Sequence, residues 1–294
     1  MLSSMARIAI IGGGSIGEAL LSGLLRAGRQ VKDLVVAERM PDRARYLADT
    51  YSVLVTSVTD AVENAMFVVV AVKPTDVESV MGDLVQAAAV ANDSAEQVLV
   101  TVAAGVTITY LESKLPAGTP VVRAMPNAAA LVGAGVTVLA KGRFVTGQQF
   151  EDVLAMFDAV GGVLTVPESQ MDAVTAVSGS GPAYFFLLVE ALVDAGVAVG
   201  LTRQVATELA AQTMAGSAAM LLERMDQDRH SAEVAPLGAQ VDVPAAQLRA
   251  TITSPGGTTA AALRELERGG LRMVVDAAVQ AAKIRSEQLR ITSE

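Results

Sequence analysis

In the first half of the chain, short runs of Val, Ile and Leu alternate with longer segments whose apolar residues recur at helical spacing. The runs Arg7–Ile11, Leu34–Ala37, Val53–Val55, Met66–Val72, Val98–Val102 and Val121–Met125 predict strands, and Val136–Leu139 and Val163–Val166 predict two more. Several are continuously apolar rather than alternating, as parallel strands covered on both faces must be. Strands separated by helices predict an α/β fold with a doubly wound sheet of Rossmann type. After about residue 170 the strand signal stops. Asp172–Leu201 and Arg203–Met225 read as long Ala-rich helices, with further helices at Thr259–Arg268 and Leu271–Leu289. Asp226–Val243 between them is polar and broken by proline, which predicts an exposed excursion. The expected organisation is a dinucleotide-binding domain over 1–170 followed by an all-α domain over 171–294. Small residues on long apolar helices permit close packing, and this much apolar helix surface predicts oligomerisation.

Composition narrows the picture. Of 294 residues, 52% are hydrophobic but only 3% aromatic, so the core must be aliphatic. A net charge of -9 is a poor match to nucleic acid, whose phosphates need a basic face. Cysteine is absent and there is one histidine, which excludes disulfides, thiolate catalysis and iron–sulfur clusters and leaves no ligand set for structural zinc. The positive mean hydropathy raises the question of a membrane, and Ala183–Leu201 is the longest apolar stretch. Glu190 and Asp194 interrupt it and would be costly in a bilayer, so a helix buried in a subunit interface is expected instead. Met1–Arg7 leads directly into a strand without the form of a signal peptide, which points to a soluble cytoplasmic protein.

The strand at Arg7–Ile11 runs into Gly12-Gly13-Gly14-Ser15-Ile16-Gly17 and then a helix-like segment. This is a G-x-G-x-x-G arrangement in its proper context. Gly12 permits the tight turn, Gly14 lets the backbone approach a pyrophosphate, and Gly17 lets helix and strand pack closely. The helix start offers free N–H groups and a partial positive charge to the phosphates. Glu38 and Arg39 follow the second strand. An acid there accepts bonds from the adenosine ribose of NAD, whereas an arginine holds the 2′-phosphate of NADP. The chain has both, which leaves the choice of cofactor open.

Reduction of a carbonyl commonly needs a group to handle the hydroxyl proton, often a histidine. The lone His230 lies within the polar segment. An imine nitrogen can be protonated before hydride arrives, so the pattern favours C=N over C=O reduction. Two glycine-rich segments open helices in the second half: Ser178-Gly179-Ser180-Gly181-Pro182 and Ser254-Pro255-Gly256-Gly257-Thr258-Thr259. Thr258 or Thr259 is expected to cap the later helix. Such starts expose backbone N–H groups at a positive helix end, which suits a carboxylate, although ordinary capping explains them equally well.

These residues resemble the pyrroline-5-carboxylate reductase family. Pro244–Glu267, centred on Ser254–Thr259, is similar to that family's signature. Further matches in order are the Gly12–Gly17 loop, Ala71-Val72-Lys73-Pro74, Ala103-Ala104-Gly105-Val106-Thr107, Arg123-Ala124-Met125-Pro126-Asn127 and the segment Ala176–Tyr184. The polar segment 226–243 is longer than usual for the family. The resemblance implies reduction of 1-pyrroline-5-carboxylate to L-proline by hydride transfer from NADPH, with NADH possible, as the last step of proline biosynthesis. It implies a homodimer, assembled into a larger ring such as a decamer, in which the helical domain dimerises and binds substrate. It places Gly12, Gly14, Ser15, Ile16 and Gly17 on the pyrophosphate, and Ala71, Lys73 and Pro74 near the nicotinamide ribose with Ala103 and Ala104 beside them. Lys73 would also help hold an anionic substrate. The N–H groups of Gly256, Gly257 and Thr258 would bind the substrate carboxylate and the Thr259 hydroxyl the ring nitrogen, with Ser178 and Ser180 near the nicotinamide or the substrate ring. Another imine or β-hydroxyacid reductase, or a dinucleotide-sensing protein without activity, would share the outline. The Ser254–Thr259 segment argues against the first, and substrate-dependent oxidation of the cofactor would exclude the second.

Overall fold

The computed structural model describes residues 6–90, 97–232 and 244–291. Its strands are β1 (Ile8–Ile11), β2 (Leu34–Ala37), β3 (Leu54–Thr56), β4 (Phe67–Val70), β5 (Val98–Thr101), β6 (Val121–Pro126), β7 (Gly135–Lys141) and β8 (Gly161–Thr165). Its helices are α1 (Ser15–Arg26), α2 (Pro41–Tyr51), α3 (Val58–Val62), α4 (Val77–Val90), α5 (Ile108–Lys114), α6 (Gly147–Asp158), α7 (Met171–Val174), α8 (Gly181–Ala198), α9 (Arg203–Ala232), α10 (Pro244–Thr251), α11 (Thr258–Arg268) and α12 (Leu271–Gln288). The eight strands form one sheet in the order β3-β2-β1-β4-β5-β6-β7-β8. Every neighbouring pair is parallel except β6 and β7. The α/β architecture is thus the doubly wound sheet expected from the apolar runs.

Two compact units make up the chain: Met1–Pro182 with Val279–Glu294, and Ala183–Ala278. In the first, alternate residues of each central strand feed opposite cores. Ile8, Ile10, Phe67, Val69, Val98 and Val100 pack with Leu20, Leu24 and Phe157 on one face. Ala9, Ile11, Val68, Val70 and Leu99 pack with Met81 and Leu111 on the other. The period-2 alternation of a strand therefore carries apolar side chains to both sides, which explains why these runs are almost wholly apolar. The last turns of the chain belong to this unit: Ile291 donates its N–H to the Gly105 carbonyl at 3.0 Å and Ser286 donates to Asp172 at 2.6 Å.

The second unit is helical and has a small core, Val193, Ala206 and Ala210 with Val189 beside them. Most of its large apolar residues remain exposed, among them Phe185 at 58%, Leu187 at 67% and Met273 at 72%. Glu168–Ala198 is long and apolar enough, by length and composition, to cross a membrane. Within it, Asp194 is ion-paired with Arg203 at 2.8 Å.

The helices differ from expectation in three places. The run expected as one helix over Asp172–Leu201 is broken by a π-turn at Thr175–Gly179, where the Ser180 N–H reaches the Thr175 carbonyl at 2.9 Å. The expected excursion at 226–243 is helical over its first part, because α9 continues to Ala232; residues 233–243 lie outside the described residues. Polar residues hold this extension through i,i+4 pairs, Arg224 with Asp228 at 3.2 Å and Gln227 with Glu223 at 3.5 Å. Helix α10 was not anticipated at all.

Candidate active site at the carboxyl ends of the central strands

The strand order reverses between β1 and β4, both of which end at the same edge of the sheet. Ligands of open α/β sheets bind at such a switch point. Gly12 leaves β1 with φ +104, a conformation that favours glycine, and a Cβ there would lie 2.8 Å from the Ala71 carbonyl oxygen. Its N–H donates to Ala37 at 2.8 Å, and the Ala71 N–H donates to Ile11 at 2.7 Å, so three strand ends are tied together. A Cβ on Gly17 would fall 2.0 Å from the Gly12 carbonyl oxygen, which is why the helix can approach the strand only with glycine there. Gly14 differs: an added Cβ would meet nothing within 4 Å. It is the N-cap of α1 and no side chain caps the helix, so the first-turn N–H groups beside it have no side-chain partner. An open glycine at an uncapped helix start is the cradle a pyrophosphate requires.

The resulting cleft has a volume of about 540 Å³. Gly12, Gly14, Glu38, Arg39, Ala71 and Lys73 all line it. Ser15 and Ile16 begin α1 beside it, and Pro74 opens the short turn Pro74–Asp76 that follows Lys73. Ala103 and Ala104 follow β5, whose end lies next to that of β4; Ala103 is buried. Sequence reasoning missed Asp76 and Asp83, which also line the cleft. Their only signal was position, on the short turn after the fourth strand and in the second turn of α4.

Glu38 also holds the loop itself. Its two carboxylate oxygens accept the Gly13 N–H at 2.9 Å and the Met40 N–H at 2.8 Å, clasping the glycine loop to the turn after β2. Arg39 forms a two-point ion pair with Asp76, at 3.2 and 3.1 Å. Arg43 steadies the loop from behind, donating from Nε to the Gly13 carbonyl at 2.7 Å and pairing with Glu18. Burial by itself would raise the Glu18 carboxyl, but hydrogen bonds from Arg43, Tyr51 and Tyr46 and the Arg43 charge hold it below the usual range. Burial, joined by the hydrogen bond to Glu18, pushes the Tyr51 hydroxyl up to about 12. A bare carboxylate in the first turn of α1 would repel a phosphate; this cluster neutralises it.

Ser178 and Ser180 sit in and just after the π-turn. The Ser178 hydroxyl accepts from the Asn127 side-chain amide at 3.5 Å, which places it at the end of β6, on the same sheet edge as the glycine loop. Such single π-turns are frequent at functional sites. Tyr110 and Lys114 form a Tyr-x-x-x-Lys pair on α5, with the ammonium 5.6 Å from the ring centre. Burial and the Glu78 charge raise the Tyr110 hydroxyl, the opposite of what an acid–base tyrosine needs.

In the second unit, Gly256 has φ +71 and Gly257, not Thr258 or Thr259, is the N-cap of α11. No side chain caps this helix either. Thr258 and Thr259 occupy its first two positions, leaving both hydroxyls without a capping role and the first-turn N–H groups without a side-chain cap.

The comparisons with known proteins agree with this geometry. Residues 168–289 match the family model for pyrroline-5-carboxylate reductase dimerisation, and residues 7–105 match that for the coenzyme F420-dependent NADP oxidoreductases. The chain is 82% identical to the pyrroline-5-carboxylate reductase of Mycobacterium tuberculosis over the full length of both. It therefore belongs to the pyrroline-5-carboxylate reductase family. A Corynebacterium melassecola reductase of this family is 42% identical over 97% of the chain and 99% of its own length. Among solved structures, the Coxiella burnetii pyrroline-5-carboxylate reductase superposes with a TM-score of 0.85 at 34% identity, covering 98% of this chain and all of its own. The Plasmodium falciparum pyrroline carboxylate reductase, solved with NADP bound, gives 0.79 at 28% identity, covering 97% of this chain and 98% of its own.

Proposed function

We propose that the chain reduces 1-pyrroline-5-carboxylate to L-proline with NAD(P)H, the last step of proline biosynthesis. The observation that carries this reading is the pair of uncapped helix starts in a member of this family, one at a glycine cradle and one at the Ser254–Thr259 turn. NADP(H) fits the first: Gly12, Gly14, Ser15, Ile16 and Gly17 hold the pyrophosphate, and Ala71, Lys73, Pro74, Ala103 and Ala104 border the nicotinamide ribose. When bound, the reduced nicotinamide supplies the hydride. The N–H groups of Gly256, Gly257 and Thr258 bind the substrate carboxylate, and the Thr259 hydroxyl hydrogen-bonds the ring nitrogen. Lys73 adds a positive charge for the anionic substrate, and Ser178 and Ser180 orient the ring. Catalysis is then chiefly positioning, which converts an encounter in solution into an oriented complex.

In this reading residues 1–170 are the nucleotide domain and 171–294 serve dimerisation and substrate binding. The chain is a homo-oligomer that acts on a small molecule; the finer proposal is a homodimer built into a ring such as a decamer, in the cytoplasm. The many exposed large apolar residues of α8 and α12 support an oligomer, since a monomer rarely leaves so much apolar surface in water. The test follows the absorbance of each reduced nucleotide with pyrroline-5-carboxylate present and absent, beside a panel of cyclic imino acids and hydroxy acids. Oxidation that depends on the five-membered imino acid is expected. Equal or faster oxidation with a hydroxy acid would overturn the proposal.

A further inference from the structure

The adenosine end of the cleft contains a device that the motifs do not reveal. Glu38 is occupied by two backbone N–H groups of the loop and its flanking turn. Beside it, the cation on this edge of the cleft that can hold a 2′-phosphate is Arg39. Its guanidinium is tied at two points to Asp76, on the turn after β4. The arginine side chain is 73% exposed and the carboxylate 26%, so the acid is the more fixed partner and the base the movable one. Asp83 lines the same cleft, as do Glu38 and Lys73, so three carboxylates stand against two cations. A dianionic 2′-phosphate must draw Arg39 away from Asp76 and also enter a region of net negative charge.

We propose that Asp76 is a specificity-determining residue: by holding Arg39 in a two-point pair it restrains the preference for 2′-phosphorylated nucleotide and keeps NADH usable. This rests on the reading that the cleft takes the adenosine half of the cofactor with Arg39 at the 2′ position. Arg39 presents its fork equally well to a phosphate, so carboxylate and phosphate compete for the same donors. An exposed pair is weak, so the restraint is modest and tunable rather than absolute.

The test uses binding of cofactor fragments to the full-length protein, measured by calorimetry without turnover. The probes are adenosine 2′,5′-bisphosphate and 5′-AMP, and the variants are Asp76→Asn, Arg39→Gln and the double variant. Asp76→Asn is expected to tighten the bisphosphate by about two- to fivefold while leaving 5′-AMP unchanged. Arg39→Gln is expected to abolish most of the bisphosphate's advantage, and the double variant to behave like Arg39→Gln. If Asp76→Asn leaves the bisphosphate unchanged or weakens it while Arg39→Gln removes the advantage, the restraint is refuted and Arg39 stands. If Arg39→Gln keeps the full advantage, the placement of the 2′-phosphate beneath the proposal is what fails.

Discussion

Replacing Gly14 with valine separates binding of the cofactor from folding. Gly14 has φ -66 and ψ -171, an extended conformation that β-branched residues adopt readily. An added Cβ has no protein atom within 4 Å, so the fold has room for it. Losing glycine as the N-cap costs about 1 kcal/mol at most, which corresponds to a shift of roughly 2–4 °C in Tm for a domain of this size. The pyrophosphate has no such room, since the new side chain stands in the opening before the first-turn N–H groups. Each hydrogen bond to a charged group is worth about 1.5–3 kcal/mol, so losing one weakens NADPH by roughly 10- to 150-fold and losing two by more. Titration of NADPH by nucleotide fluorescence, beside a thermal melt, measures both quantities in one preparation. Gly17→Ala is the contrast, because its Cβ would lie 2.0 Å from a backbone oxygen and must disturb the fold itself. A Gly14→Val protein with a normal melt and an NADPH affinity within about threefold of the parent would refute the placement of the pyrophosphate.

Thr259→Ala is expected to lower turnover by about tenfold or more with unchanged dinucleotide affinity, as removal of one positioned hydrogen bond should; unchanged turnover in steady-state kinetics would remove Thr259 from its role. Glu38→Ala is expected to weaken NADH and NADPH by similar factors, because its carboxylate serves the loop rather than the ribose; a loss confined to NADH in paired titrations would restore the ribose contact. Asp172 is buried, and burial alone would raise its carboxyl, but hydrogen bonds from Ser286 and Arg290 and the charges of Arg290 and Arg123 bring it below the usual range. A depressed carboxyl stabilises the fold above its unfolded value and loses that contribution as pH falls through the folded one. Asp172→Asn is therefore expected to cost about 1–3 kcal/mol at neutral pH, since Arg290 remains partly solvated, and to flatten the acid limb of the stability profile, measured by denaturant unfolding between pH 7 and 3; an unchanged midpoint at pH 7 would contradict it. Replacing the exposed Phe185 and Leu187 together with aspartate is expected to reduce the oligomer to smaller species by light scattering, and an unchanged mass would place the subunit interface elsewhere.

Much of this protein was legible before any coordinate. The central strands stood out because runs such as Phe67–Val70 are covered on both faces and carry no polar position, a pattern that survives without knowledge of partners. The glycine loop was equally plain, since its spacing reflects backbone constraints local to one turn. The π-turn at Thr175–Gly179 was not, because it depends on what Gly179 meets: a Cβ there would lie 2.6 Å from the Met125 side chain, fifty-four positions earlier in the chain. The roles of Glu38 and Arg39 were also hidden. From sequence both faced the ribose; only folding showed that Gly13 and Met40 claim the acid and that Asp76 claims the base. Sequence by itself settles what depends on neighbours a few residues away, namely the strand and helix periods, the glycine turn and the family signature. Tertiary structure alone decides which charged side chains are already engaged, because a hydrogen bond between distant segments leaves no periodic trace in either of them.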